Sequence, residues 1–216
     1  GYVWPEPRSS AAGGHMMQIL ETYLTQGWEV TFSSPAALGE HKADLLALGI
    51  AECAIELNNS SFDDFICQLA PDIVLFDRFM MEEQFGWRVE KYCPDALRVL
   101  ETCDLHSLRD ARQQRLKNHL KTHPDSDDFS ALFAPALEEE FQLMAGSEVA
   151  KREIAAIYRC DINLMISDVE IRLLTEQFKV PAALLHWCPL MLEPATEAFV
   201  PFEDRAHFLS TVSYTH

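Results

Sequence analysis

The chain is 216 residues long, ample for a substantial core in one large domain or two small ones. Hydrophobic residues make up 48% and charged residues 24%, the balance of an ordinary soluble globular protein. Its 34 acidic and 17 basic residues leave a net charge of −17, which repels phosphate backbones and anionic lipid unless a local basic patch intervenes.

In chain order, Tyr2–Trp4 reads as a first strand cut short at Pro5. Gly13 and Gly14 close a loop ahead of a helix over 15–26, where Met16, Ile19, Leu20, Tyr23 and Leu24 form a helical stripe. Trp28–Ser33 is a second strand. Pro35 opens a helix that Gly49 stops, and Cys53–Leu57 is a weak third strand. Ser61, with Asp64 three residues on, has capping-box spacing for a helix to Leu69. Asp72–Asp77 (DIVLFD) is the clearest buried strand, its continuous apolar run suiting a sheet covered on both faces. A helix follows over 79–92, ended by Pro94, and Leu97–Glu101 is the next strand. Residues 108–158 contain no convincing strand and read as a helical insertion, with helices over 108–120 and 136–158. Alternation resumes with a strand at 162–167, a helix at 169–178 and a strand at 182–187. Ala206–Leu209 is a last short one.

About seven strands alternating with helices predict an α/β fold: an open, mostly parallel Rossmann-like sheet, helices on both faces, right-handed crossovers and the insertion. The expected organisation is one domain over 1–203, with 204–216 the start of a linker or a truncated second-domain strand. No stretch approaches 18 apolar residues, so no transmembrane segment is expected. The six cysteines are scattered without a C-x-x-C, as expected of free thiols in a reducing, cytoplasmic compartment. The chain opens on Gly1-Tyr2-Val3-Trp4 without an initiating Met, as though an element were already under way.

Ligands of open parallel sheets bind beyond the carboxyl ends of the strands, which singles out four loops. The first, Pro5–Gly14, offers Gly13 and Gly14 for close backbone approach, a helix N-terminus for an anion and Arg8 for charge. A turn that merely needs small residues explains it as well. Asp77, after the strongest strand, suits a hydroxyl, an arginine or a cap on the following helix. Glu101–Arg109 is the densest polar cluster. There Asp104 and His106 share a face in extended backbone, so His106 can accept a proton or bond a hydroxyl, Asp104 can orient it, and Arg109 can meet a phosphate. The plainer alternative makes Asp104 or Ser107 a helix cap and His106 a surface residue. The fourth loop, Ser167–Glu170, reads as a helix cap, with His186 and Trp187 beyond the next strand placed to line the same cleft. His119 and His123 lack H-E-x-x-H, so no metal is expected. There is no G-x-S-x-G elbow, and nothing marks Cys103 as an activated nucleophile. The basic run Arg109–Lys121 recurs at helical spacing and reads as a solvated helix face.

Together, YVWPEPRSSAAGGHM, DIVLFDRFMMEEQFGWRV, ETCDLHSLRDAR, ISDVE and VPFEDRAHFL resemble, in order and spacing, the N-terminal domain of a bacterial glycosyltransferase. The type is the two-Rossmann-domain (GT-B) kind, close to the group 1 or family 4 enzymes, and the likeness extends over about residues 1–209. It implies sugar transfer from a nucleotide diphosphate sugar to a glycan or lipid-linked acceptor, with no metal or other cofactor and no nucleic acid. The N-terminal domain would present the acceptor and a C-terminal domain would hold most of the donor. Under the resemblance Gly13 and Gly14 approach the donor diphosphate, while Asp104 and His106 face the sugar and acceptor, and His106 shares charge as the glycosidic bond breaks. Arg8, Asp77, Arg109 and His186 fall among the expected binding residues. The second domain is not in this sequence, and the tail Ser210–His216 reads like an artificial end. The chain alone is therefore expected to have little transferase activity. A nucleotide-sugar epimerase half and a non-catalytic binding or interaction module are the alternatives.

Overall fold

The computed structural model describes residues 1–124, 132, 136–191, 201–204 and 206. The chain is an α/β protein with two sheets, divided into two compact units. One comprises Val3–Cys53 and the described residues after Pro189; the other comprises Gly1–Tyr2 and Ala54–Pro189.

In the smaller unit, the indole of Trp4 is buried, packs on Phe32 with ring centroids 5.6 Å apart and donates from Nε1 to the Ala36 carbonyl at 2.9 Å. The strand expected at Tyr2–Trp4 does not form. Tyr2 N–H donates to a side chain, Asp77 Oδ2 at 3.0 Å, and Pro5 has no N–H to give a ladder. Helix α1 (Ala11–Thr25) starts four residues before the expected point, because Ser10 caps it by accepting the Gly13 N–H at 3.0 Å. Gly13 and Gly14 therefore lie in its first turn and not in a loop. Strand β1 (Thr31–Ser34) pairs with β2 (Ala51–Ala54) in a two-stranded sheet. The helix expected from Pro35 is replaced by turns and one 3-10 turn, Leu46–Leu48. Side chains take the backbone donors locally: Ser34 Oγ accepts from Ala36 N–H at 3.2 Å and Asp44 Oδ1 from Ala47 N–H at 3.1 Å. Gly49, at φ 82°, ends the segment as its position predicts.

The larger unit opens with α2 (Ser61–Leu69), whose Phe62 and Ile66, one turn apart, are buried. Its first N–H is met by Asn59 Oδ1 at 2.9 Å, so the expected Ser61 cap is displaced two residues upstream. Strand β3 (Ile73–Asp77), helix α3 (Phe79–Tyr92) and strand β4 (Leu97–Glu101) follow close to their predicted limits. The insertion holds α4 (His106–Thr122), α5 (Leu137–Met144) and α6 (Glu148–Arg159). A single helix over 136–158 is thus two. Ser147 N–H closes α5 on the Met144 carbonyl at 2.9 Å, and its hydroxyl starts α6 by accepting the Ala150 N–H at 3.0 Å. Strand β5 (Ile162–Met165) leads to α7 (Asp168–Arg172), which runs into a π-helical turn, Leu173–Gln177. The expected strand over 182–187 is a 3-10 turn up to Leu184, then β6 (Leu185–Trp187).

These four strands form one parallel sheet in the order β3-β4-β5-β6. Register pairs Asp77 with Glu101, Glu101 with Leu164 and Met165 with Trp187, so all four carboxyl ends share one side of the unit. Because β3 is an edge strand, Ile73, Val74 and Leu75 are only half-buried; Val99, Leu100 and Glu101 of β4 are fully buried. Helix α3 packs on β3 and β4 beside α6, where buried Glu82 takes Arg159 in a two-pronged ion pair, Nε at 2.8 Å from Oε1. Buried Asn163 of β5 ties the Ile157 carbonyl at 3.1 Å to the Leu184 carbonyl at 3.0 Å. Of the last strand expected, 206–209, only Ala206 is described, and the tail 210–216 lies outside the described residues.

Candidate functional site

Two loops leave the carboxyl ends of the adjacent strands β3 and β4, and both have unusual backbone. Arg78, between β3 and α3, has φ 73° and ψ 152°, a region that glycine alone adopts without cost. Cys103, after β4, has φ 60°. Each is held by Glu101: Arg78 N–H donates to its backbone carbonyl at 2.7 Å, and Cys103 N–H donates to its Oε1 at 2.9 Å. Strain braced in this way is found at ligand clamps and active sites, and here two strained residues flank one sheet end.

Asp77 is buried beneath these loops. It accepts Tyr2 N–H through Oδ2 and the Cys103 thiol through Oδ1 at 3.3 Å, with Arg78 Nε 3.6 Å away. Of the roles open to it in the sequence, arginine partner is the one it takes, since α3 has no side-chain cap. The Arg78 guanidinium sits 5.0 Å over the Tyr2 ring. Burial, followed by the nearby Asp77 and Glu101 carboxylates, pushes the Cys103 thiol far above its ordinary range. Donating to Asp77, it is held as a protonated thiol at neutral pH.

His106 is the first residue of α4. Its ring meets Phe79 edge-on with centroids 5.6 Å apart, its Nε2 lies 3.6 Å from Asp104 Oδ1, and Arg109 Nε lies 3.4 Å from Asp104 Oδ2. Asp104 therefore lies between His106 and Arg109; sequence spacing had paired only Asp104 with His106, on extended backbone, whereas His106 opens α4. At 3.6 Å the imidazole is beyond hydrogen-bond range, and its buried Nε2 has no hydrogen-bond partner. Burial, reinforced by the Arg109 charge and opposed by Asp104, lowers the imidazole to about 4. At neutral pH His106 is uncharged and weakly basic, suited to hydrogen-bonding a hydroxyl more than to taking its proton.

Two carboxylates that sequence reading did not single out hold this cluster. Glu153 of α6 accepts the His106 N–H through Oε1 at 2.9 Å, and through Oε2 the Ser107 N–H at 3.0 Å and the Ser107 hydroxyl. Glu170 of α7 accepts the Leu105 N–H at 3.1 Å through Oε1, and its other oxygen is buried without a partner. The start of α4 thus has no cap of its own and borrows two from neighbouring helices. One signal was available: Glu153 falls on the stripe of Ala150 and Ile157, an acid on an otherwise buried helix face. Glu170 read only as a charge suited to a helix N-terminus, and Ser167 is the residue that caps α7.

The remaining sequence candidates lie on other elements. His186 is exposed on β6, the far edge of the sheet, opposite Leu164, and Trp187 beside it is 58% exposed. Arg8, Gly13 and Gly14 belong to the other unit, Arg8 exposed in a turn. The Gly13 and Gly14 N–H groups are both spent on Ser10, the latter on its carbonyl at 3.1 Å. Gly13 is required for packing: a Cβ there would lie 2.6 Å from the Glu6 carbonyl oxygen, whereas one on Gly14 meets nothing within 4 Å. Gly13→Ala is expected to cost about 2 kcal/mol by overpacking and Gly14→Ala to be neutral or slightly stabilising in its helix, read from urea midpoints. Equal midpoints would remove the packing role from Gly13.

In the basic run, Arg112 of α4 pairs with buried Glu140 of α5. A shallow groove of about 400 Å³ is lined by Arg115, Glu138, Glu139, Gln142 and Leu143 of these helices, none of them in the cluster. The His119 and His123 rings stack with centroids 4.9 Å apart. Among the described residues no group of three or more His, Cys, Asp or Glu is arranged to hold a metal ion, and no helix is long and apolar enough to cross a membrane. No family model, curated protein or solved structure matches the chain.

Proposed function

We propose that this chain is the acceptor-side part of a sugar-transferring enzyme that takes its sugar from a nucleotide diphosphate sugar, with Asp104, His106 and Arg109 contacting the sugar or its acceptor. The observation that carries the reading is the neutral, partly buried His106 with its buried Nε2 left unmatched at the carboxyl end of a parallel sheet, where such folds bind ligands. A sugar hydroxyl supplies the missing partner without bringing charge into the site. Asp104 places a carboxylate 3.6 Å from the imidazole, and Arg109 beside it offers a cation to a phosphate or to developing negative charge. Cys103, held as a thiol, leaves the chemistry to substrate groups positioned by this cluster. A second reading, a sugar-binding module without turnover, draws on the same weak basicity of His106, because a base of so low a pKa gives little proton-transfer catalysis.

Sugar transfer is tested by mass spectrometry with UDP-, GDP- and ADP-sugars and glycan or lipid-linked acceptors, using this chain beside the full-length product of its gene. Product from the full-length protein, falling about a hundredfold in His106→Ala, is the expected result. Ligand binding without product selects the binding module, and neither binding nor product removes both readings.

A further inference from the structure

Away from the strand-end cluster, two of the six cysteines are brought together by the packing of α2 against α3. The helices run side by side in the same direction. Phe62 meets Phe85 with centroids 4.4 Å apart, Asp63 takes Arg88 at 3.0 Å and the Tyr92 hydroxyl at 3.2 Å, and the Ile66 carbonyl accepts the Cys93 thiol at 3.4 Å. Cys67 follows Ile66 directly and lies one turn beyond Asp63, on the α2 face that meets Arg88 and Tyr92. The hydrogen bond to the Ile66 carbonyl keeps the Cys67 Cα within about 6 Å of the Cys93 sulfur. The two cysteines are thus neighbours at the carboxyl ends of α2 and α3, and a bridge needs their side chains to turn toward each other.

We infer that Cys67 and Cys93 form a reversible disulfide that staples the carboxyl ends of α2 and α3 when the protein meets a peroxide. Cys67 is exposed and is the first to react, while Cys93 is half-buried at the end of α3. The Cys67 sulfur attacks a peroxide oxygen, and the O–O bond breaks to leave a sulfenic acid and one water. The Cys93 sulfur then attacks the Cys67 sulfur, forming the S–S bond and releasing the second water. Two thiols are oxidised by two electrons, and hydrogen peroxide is reduced to two waters. Selectivity follows from the surroundings of the rest. Cys103 and Cys160 have thiols raised by burial and then by adjacent carboxylates, Cys160 to about 12. Burial, and then Glu101, likewise raises the Cys188 thiol that follows β6. Burial and then Cys67 itself also raise the Cys93 thiol, which places Cys93 as the resolving partner and not the initial target.

The test is brief exposure of the folded, dilute protein to hydrogen peroxide, followed by alkylation and non-reducing peptide mapping. The expected result is loss of two of the six free thiols, one cross-linked peptide joining Cys67 to Cys93, and full recovery on reduction. Cys67→Ser, a replacement at an exposed residue, is expected to keep its remaining thiols under the same exposure, and Cys160→Ser to cross-link as the parent does. Three results overturn the inference: Cys67 driven to sulfinic acid with Cys93 still alkylated, a different pair, or retention of all six thiols at a peroxide level that oxidises free glutathione.

Discussion

Replacing Glu153 by alanine is expected to destabilise the protein by about 4 kcal/mol, since two buried donors and one part-buried donor lose one acceptor group and each costs ~1–3 kcal/mol when left unmade. The donors are the His106 and Ser107 N–H groups and the Ser107 hydroxyl, with Ser107 1% exposed and Glu153 likewise 1% exposed. Burial raises the Glu153 carboxyl above its usual range, and the Ser107 and His106 donors only partly restore it. The carboxylate is therefore kept in a costly place for the bonds it makes. Glu153→Gln keeps one carbonyl acceptor but turns an NH2 toward the donors, so it is expected to fall between, at about 2 kcal/mol. Urea midpoints at constant slope give both values. A change below about 1 kcal/mol for the alanine variant would mean that water satisfies the start of α4 and that Glu153 does not hold it.

Glu170 sets the second large effect, a dependence of stability on pH. Burial, and after it the Asp104 and Glu153 charges, raises its carboxyl from 4.5 to about 7 against the pull of the Leu105 N–H and of Arg112, itself paired with Glu140. A carboxyl whose pKa is higher folded than unfolded favours the folded state while it is protonated. That contribution is complete below pH 4.5 and is lost as pH rises through 7. The loss amounts to about 3 kcal/mol. Glu170→Gln keeps the acceptor for Leu105 N–H and cannot ionise. It is expected to match the parent near pH 5 and to exceed it by about 3 kcal/mol at pH 8, in urea titrations across that range. Parallel curves for the two proteins would show that Glu170 ionises as freely folded as unfolded.

The alternation of β3, α3, β4 and α4 was readable because short β-branched and aromatic runs such as Ile73–Phe76 alternate with helices closed by Pro94 or opened by polar residues. The failures have local causes. Around residues 35–48, Ser34 and Asp44 take backbone N–H groups that a helix would need. At Tyr2 a side chain 75 positions away takes the ladder donor, which no local pattern announces. Gly13 and Gly14 looked like a ligand loop because a serine cap and a close helix approach use the same residue types as a phosphate turn. In the candidate site, Asp104 and His106 were singled out by their spacing, and Arg109 as a charge on the same short segment. Glu153 and Glu170 were not, because they reach the cluster from helices 47 and 65 residues further on. The thiol state of Cys103 also depends on Asp77, from the neighbouring strand. Sequence thus located the segment, and the fold supplies the groups that tune it.

A sugar ligand is expected to complete the hydrogen bonding of His106, and the His106 ring reports on this directly. Nitrogen-resolved NMR of the imidazoles, recorded as sugars and nucleotide sugars are titrated into the protein, distinguishes His106 from the seven other histidines. His106 is expected to titrate near pH 4, to be neutral at pH 7, and to show an Nε2 shift on ligand addition that His106→Asn abolishes. A His106 that titrates near 6.5, or an Nε2 resonance that stays fixed while other histidines respond to the same ligands, would contradict it.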